Sequence, residues 1–381
     1  VNAAAPPPLR VLLLCDSLGI AGGVERFVCG LANHLARTGC SVAVGTVDTP
    51  AAAVRYPLDG AVQVLAGTRP GHAGATGAGR LRLLARQWRA GRALARLMRQ
   101  SAADVIVLNG LVTACSALLW ARRESPRVVC CDHNHFAARS RLWQRLRAWL
   151  YPQVAAVVSL SEADAPRFRA LNACTRVIYN ASSLWAEVPA AAAEPVVLAV
   201  GRHVAQKGFD LLLPAWRRVC DGLPAARLRI VGNGPLQAEL QAQARALGVA
   251  DSVEWLPPTL QIGAQFRAAA VFVLPSRYEG MPLALLEAQA LGVPAVAFDC
   301  PTGPREIVSA DTGIVVPPGD VNALAAALLR LLNDAPQRAR MGHAAIARSR
   351  ALFSPQQHLD GWAALLREVA AQRVVERRAA A

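Results

Sequence analysis

Short runs of β-branched and apolar residues alternate with amphipathic stretches along the whole chain. In the first half Val11 to Cys15, Ser41 to Val47, Asp104 to Leu108, Arg127 to Cys131, Val154 to Leu160 and Arg176 to Tyr179 read as strands. In the second half Val196 to Val200, Arg227 to Val231, Ser252 to Trp255, Val271 to Leu274, Pro294 to Phe298 and Gly313 to Val316 do so. Between them apolar positions return with helical period, as at Val24, Phe27, Val28, Leu31 and Leu35. Continuous apolar strands separated by helices predict an α/β fold with parallel sheets covered on both faces. The two series predict two sheets.

Ala181 to Pro195 is rich in Ala, Ser and Pro and lacks strong periodicity, which predicts a linker at 181–195 between domains at 1–180 and 196–352. A C-terminal segment, 353–381, carries a helix expected over Pro355 to Arg373. In open α/β sheets ligands bind beyond the carboxyl ends of the strands, so two such domains facing each other would enclose a cleft. Candidate chemistry therefore belongs to strand-to-helix loops.

With 381 residues, 54% of them apolar, the chain can bury a full core and is not disordered. Its longest suspect apolar stretch, Leu111 to Ala121, falls short of the roughly 20 residues a spanning helix needs. The opening VNAAAPPPLR has no basic-then-apolar leader pattern and reads as a loose tail. Nine cysteines are scattered without C-x-x-C or zinc spacing, and read as small buried hydrophobes in a reducing compartment, the cytoplasm.

Charge changes the picture more. The net charge is +15, and residues 1–190 hold 22 arginines against 10 acids, so nearly all the excess lies in the first half. Such asymmetry points to an acidic partner: nucleic acid, anionic lipid or a phosphorylated ligand. Only one basic residue is a lysine, Lys207, which singles out a place where a compact ammonium is needed.

Three loops carry candidate chemistry. CDSLGIAGGVER follows the first strand, and Gly22 and Gly23 free the backbone to approach an anion at a helix start; a bland tight turn is the competing reading. VVLAVGRHVAQKGFD places Arg202 and Lys207 beyond a strand end, suited to a departing diphosphate or, alternatively, to ordinary solvation. LPSRYEGMPLALLEAQALGVPAVAFD puts Pro282 as the first helical residue, Gly280 and Met281 at the helix mouth, Glu279 beside it, and Glu287 about 8 Å further along the helix axis. One carboxylate could hold sugar hydroxyls and the other a ribose diol. No D-x-D metal anchor occurs, which leaves diphosphate charge to Arg202 and Lys207 and predicts no metal and no other cofactor.

GRHVAQKGFD, VGNGP, RYEGMPLALLEAQALGVPAVAFD, TGPREIV and TGIVVPPGD together resemble the carboxyl-terminal half of retaining family 4 glycosyltransferases (glycosyl transferases group 1) of GT-B fold. The first half adds GGVER, His133 with Asn134, and SLSEAD. The resemblance implies two Rossmann-like domains facing a central cleft, with the C-terminal helix packing back on the first. It implies a retaining, metal-independent hexosyltransferase that moves a sugar from a nucleoside diphosphate sugar, UDP- or GDP-linked. The acceptor would be a lipid-linked or polysaccharide hydroxyl in bacterial cell-surface glycan assembly, such as lipopolysaccharide. Arg202 and Lys207 would bind the diphosphate, Glu279 with Gly280, Met281, Pro282 and Leu283 the sugar and phosphate, and Glu287 the ribose. Gly232 and Gly234 would border the base; Gly22, Gly23 and Asn134 would meet the acceptor, Gly23 also the phosphates. His133 would meet the donor sugar and join the catalytic set with Arg202, Lys207 and Glu279, with His135 as the competing histidine. Met281 departs from the bulky aromatic usual in the family. A nucleotide-sugar epimerase of this fold and a noncatalytic nucleotide-sugar binder remain alternatives.

Arg82, Arg86, Arg89, Arg92, Arg96 and Arg99 recur at helical spacing and form a cationic ridge, with Leu81, Leu84, Trp88, Leu94 and Met98 on another face. A second segment contributes Arg139, Arg141, Arg145 and Arg147 with Trp143 and Trp149. Arginine with tryptophan suggests a peripheral contact with an anionic membrane, the inner face of the cytoplasmic membrane. An ordinary solvated face is the alternative, and nucleic acid is not expected because no recognised module for it occurs.

Overall fold

The computed structural model describes residues 7–379 except 21, 48, 67–79 and 191–193. These fall into two compact units, one ending at Ile178 and resuming at Leu359, the other running from Tyr179 to His358.

The first unit holds strands β1 (Arg10–Cys15), β2 (Ser41–Thr46), β3 (Gln63–Ala66), β4 (Val105–Asn109), β5 (Val128–Cys131), β6 (Ala156–Ser159) and β7 (Thr175–Val177) in the order β3-β2-β1-β4-β5-β6-β7. Every pairing is parallel. Helices α1 (Gly23–Arg37), α2 (Arg80–Gln100), α3 (Leu111–Leu118), α4 (Arg141–Leu150) and α5 (Ala165–Arg169) connect them. Strand β3 was not anticipated. It is a four-residue edge strand with no fully buried side chain, and its apolar run is only Val64 to Ala66. One face of the sheet buries Leu12, Leu14, Ile106, Leu108 and Cys130 against Leu94, Met98, Leu118 and Leu150. Each fully buried leucine contributes about 1.5–3 kcal/mol.

The second unit holds β8 (Val196–Val200), β9 (Arg227–Val231), β10 (Val253–Leu256), β11 (Val271–Leu274), β12 (Ala295–Phe298) and β13 (Gly313–Val316), all parallel, in the order β10-β9-β8-β11-β12-β13. Its helices are α6 (Phe209–Gly222), α7 (Gln237–Ala246), α8 (Ile262–Arg267), α9 (Leu283–Ala290), α10 (Pro304–Ile307), α11 (Val321–Asn333) and α12 (Ala335–Leu352). The described part of 181–195 is packed inside this unit: Ala186 N–H donates to the Ala290 carbonyl, and Pro189 lies against Gly292 and Gly342.

Helix α13 spans Pro355–Ala379, and from Leu359 it belongs to the first unit. Trp362 is fully buried there with its ring 5.3 Å from Phe27, and Glu368 pairs with Arg176 at 3.0 Å. Among the described residues no helix is long and apolar enough to cross a membrane. Each sheet reverses its strand order once, between β1 and β4 and between β8 and β11. Loops leaving neighbouring strands diverge at such a reversal and open a crevice.

Candidate active site

At the reversal in the second unit, the chain leaves β8 through Gly201 and Arg202 and reaches Lys207 in a short 3-10 turn before α6. Gly208 follows with φ of 66°, and a Cβ there would collide with the Pro275 carbonyl oxygen. Glycine thus lets this loop press against the loop after β11. The contact brings Lys207 to Glu279, with Nζ donating to Oε1 at 2.6 Å. Ser276 Oγ donates to the same oxygen at 2.6 Å, and the Thr302 hydroxyl donates to the Glu279 backbone carbonyl. Both charges are largely buried, so losing either leaves the other poorly compensated. Cys300 lies nearby, but burial, reinforced by the Glu279 carboxylate, pushes its thiol up to about 12 and keeps it protonated.

Beyond Glu279 and the buried Gly280 and Met281, α9 begins at Leu283 rather than at Pro282. Pro282 has helical φ but an extended ψ of 111°, which makes it the N-cap and corrects the expected start by one residue. Leu285 and Leu286 N–H make the first bonds, both to the Pro282 carbonyl, so the amides of Leu283 and Ala284 precede the helical ladder. Asn180 Nδ2 donates to the Met281 carbonyl at 3.4 Å. Glu287 is buried on α9. Arg202 is exposed and makes no ion pair among the described residues.

The VGNGP turn after β9 is stitched to the loop after β8. A Cβ on Gly232 would strike the Gly201 carbonyl and one on Gly234 the His203 backbone, while His203 N–H donates to the Asn233 carbonyl at 2.7 Å. The His203 ring is fully buried between Phe209 and Trp255, with centroids 5.7 and 5.6 Å away, and neither ring nitrogen has a partner among the described residues. Burial lowers its pKa and favours the neutral imidazole.

At the reversal in the first unit Asn109 ends β4, a residue the sequence reading missed although a polar side chain closing VIVLNG is a signal. Its Nδ2 donates to the Leu14 carbonyl at 3.1 Å, which turns Oδ1 toward His133 Nε2 at 2.8 Å. That amide orientation assigns the Nε2 proton to His133 as donor. Phe27 sets its ring edgewise 4.6 Å from the imidazole. Asn134 Oδ1 accepts from His135 N–H at 2.9 Å, and His135 Nδ1 accepts from Ala137 N–H at 3.3 Å. Burial lowers the His135 pKa. Gly22 caps α1 with the Glu25 carboxylate folded over it, where a Cβ would collide, and Gly23 is exposed as the first helical residue.

Arg86, Arg89, Arg92, Arg96 and Arg99 are exposed along α2, and Arg145 is exposed on α4; the Arg82 side chain lies outside the described residues. Three neighbours depart from expectation. Trp143 is half-buried against the core because α4 packs on α3, whose buried residues belong to that core. Trp88, placed on an apolar face, is instead half-exposed. Arg147 is fully buried, its guanidinium donating to Asp132 Oδ2 at 3.0 Å while the Tyr151 hydroxyl donates to Oδ1. Burial pushes the Asp132 carboxyl up, and Arg147 and Tyr151 oppose that shift. Among the described residues no three His, Cys, Asp or Glu side chains assemble as a metal site.

The family model for "Glycosyltransferase Family 4" matches residues 21–183 and that for "Glycosyl transferases group 1" matches residues 185–348. The amylovoran biosynthesis glycosyltransferase AmsD of Erwinia amylovora is 28% identical over 93% of this chain and 98% of its own. An exopolysaccharide phosphotransferase of Streptomyces coelicolor is 32% identical over 76% of this chain but only 31% of its own length. Among solved structures, a sucrose-phosphate synthase from Thermosynechococcus elongatus superposes with TM-score 0.77 at 23% identity, covering 98% of this chain and 100% of that one. Anabaena HepE in complex with UDP and glucose gives TM-score 0.72 at 21% identity over the same shares. The chain therefore belongs to the group 1, family 4 glycosyltransferases and has their GT-B architecture of two Rossmann-like domains.

Proposed function

We propose that the protein transfers a sugar from a nucleoside diphosphate sugar to a hydroxyl of a lipid-linked or polysaccharide acceptor, with retention at the anomeric carbon. The observation that carries this reading is the buried Lys207–Glu279 bond at the strand reversal, beside the amides that open α9. Lys207 and Arg202 neutralise the diphosphate without a metal. Glu279 and the backbone from Gly280 to Leu283 hold the sugar, Glu287 the ribose, and the turn at Gly232 and Gly234 the base. In the first unit, Gly22, Gly23 and Asn134 serve the acceptor and His133 the transferred sugar. The acceptor O–C1 bond forms as the C1–O bond to the diphosphate breaks on the same face, and the hydroxyl proton passes to a diphosphate oxygen. Lys207 and Arg202 stabilise the charge growing there. The amylovoran and UDP-bound neighbours named above support this donor and acceptor class.

The test incubates the chain with UDP- and GDP-sugars, with and without membrane extract and chelator, and reads products by mass and anomeric configuration by NMR. Transfer with retained configuration that survives chelator is expected. Isomerised donor without acceptor identifies an epimerase, binding without turnover a noncatalytic protein, and inverted product or complete, metal-reversible loss in chelator overturns the mechanism.

A further inference from the structure

Exposed indoles and guanidinium groups on the first unit form a connected patch separate from the loops described above. Trp88 of α2 and Trp120, just after α3, are 50% and 39% exposed, and their rings meet edge to face with centroids 5.2 Å apart. Arg92, one turn along α2 from Trp88, lies over both rings at 4.7 and 5.3 Å. Arg99 Nη1 donates to the Trp120 carbonyl at 2.8 Å. Two residues after Trp120, Arg122 stacks at 4.4 Å on Trp149, which is 48% exposed at the end of α4.

The arrangement is built by helix packing. Gly91 sits where a Cβ would strike the Ser116 carbonyl, so α2 can lie close on α3 and bring Trp88 beside Trp120. Neither α2 nor α4 contains an aspartate or glutamate. A solvated helix of alternating charges needs no exposed tryptophan, and three that each carry a stacked arginine, two of them in contact and the third reached two residues on, are not a scatter of single exposed apolar residues. These contacts hold Arg92 beside the Trp88 and Trp120 rings and Arg122 over Trp149, an arrangement that keeps charge at headgroup level while the rings enter the interface.

We infer that this Trp88–Arg92–Trp120–Arg122–Trp149 patch docks on the surface of an anionic phospholipid bilayer. The occupant follows from charge complementarity: acid-free helices favour an anionic surface, and the amphipathic indoles favour one with an apolar layer beneath it. Docking of this kind is independent of the transferase reading, since no residue of the patch has been assigned to donor or acceptor.

The full chain is sedimented with vesicles of phosphatidylcholine alone and with vesicles also containing phosphatidylglycerol. Binding to the anionic vesicles only is expected, lost at about 1 M salt where the Debye length is about 3 Å. Arg92→Glu with Arg122→Glu weakens partitioning by at least about fivefold per arginine removed. Trp88→Ala, Trp120→Ala and Trp149→Ala together weaken it further and abolish the vesicle-induced blue shift of tryptophan emission. Unchanged circular dichroism checks the fold, and Arg305→Glu on the second unit, an exposed residue with the same charge change per site, leaves binding intact. No binding at low salt, equal binding to neutral vesicles, or equal weakening by Arg305→Glu overturns the proposal, including the case in which the patch instead binds a protein or a nucleic acid.

Discussion

At the strand reversal of the second unit, a cation from the loop after β8 meets a carboxylate from the loop after β11; at that of the first, an asparagine closing β4 ties a β1 carbonyl to a histidine beyond β5. The topology is shared, and the chemistry is not. A buried ion pair holds its place only while both partners remain, and it presents a positive group where a departing anion would be stabilised. An amide oxygen facing Nε2 requires that ring nitrogen to carry a proton. The second unit thus builds its reversal around a charged pair, and the first around an oriented ring N–H.

The largest effect that would sharpen this contrast is at Lys207. Lys207→Met keeps the stem that lies over Gly201 but removes the charge. Turnover at saturating donor should fall a hundredfold or more, about 3 kcal/mol of transition-state stabilisation. Unchanged kcat would show that the pair serves structure alone. Lys207→Arg should recover part of the activity, because the charge returns with the wrong geometry.

Asn109 gives the next largest. Asn109→Asp sets a carboxylate against His133 Nε2, favours the imidazolium, and should move that histidine's titration to higher pH when followed by ring NMR. In the parent chain the same spectra should show the Nε2–H tautomer. An Nδ1–H tautomer would break the contrast, because the first reversal would then present a different atom.

How much of this was legible in the sequence depends on whether a feature is local. Lys207 stood out because composition isolates it, and Glu279 because glycine and proline frame it. Ser276, Thr302 and Asn180, which hold the Glu279–Met281 loop, left no such mark, since their partners are set by tertiary approach. Arg147 was grouped by composition with the exposed Arg141 and Arg145, yet it stands on the opposite helix face with Trp143 and Leu150, where Asp132 and Tyr151 satisfy it, and a partner from another element leaves no mark in the segment itself. Strand β3 escaped because its apolar run, Val64 to Ala66, is only three residues long. The parallel sheets were readable because fully buried strands must be apolar throughout.

His203 offers a smaller effect. The folded state holds its imidazole neutral, with the pKa lowered from 6.5 by burial, whereas the unfolded chain takes up a proton near that ordinary value. Unfolded molecules then bind the extra proton, so the stability contribution is complete above pH 6.5 and declines as pH falls toward the folded pKa. His203→Leu should flatten the dependence of Tm on pH in that window. A slope unchanged by the substitution would mean that the stitched VGNGP turn opens readily enough to hydrate the ring.

Arg277 and Asp210 carry the smallest expected change and bear most directly on how the second crevice is built. They pair the first turn of α6 with the loop after β11, with Nη1 on Oδ1 at 2.8 Å and Nη2 on Oδ2 at 2.6 Å, and Arg277 N–H also donates to the Gln206 carbonyl at 2.8 Å. Hydrogen bonding to Arg277 lowers the Asp210 pKa, so this contribution is full above the ordinary value of 3.8 and is lost as pH falls through the folded value. Because both side chains are more than a third exposed, solvent screens the pair, and a double-mutant cycle at neutral pH should give at most about 1 kcal/mol. Arg277→Ala should leave kcat within a few-fold of the parent, because the backbone bond to Gln206 and the buried Lys207–Glu279 contact still hold the loops together. A fall comparable with that of Lys207→Met would show that the outer pair, rather than the inner one, sets the position of Glu279.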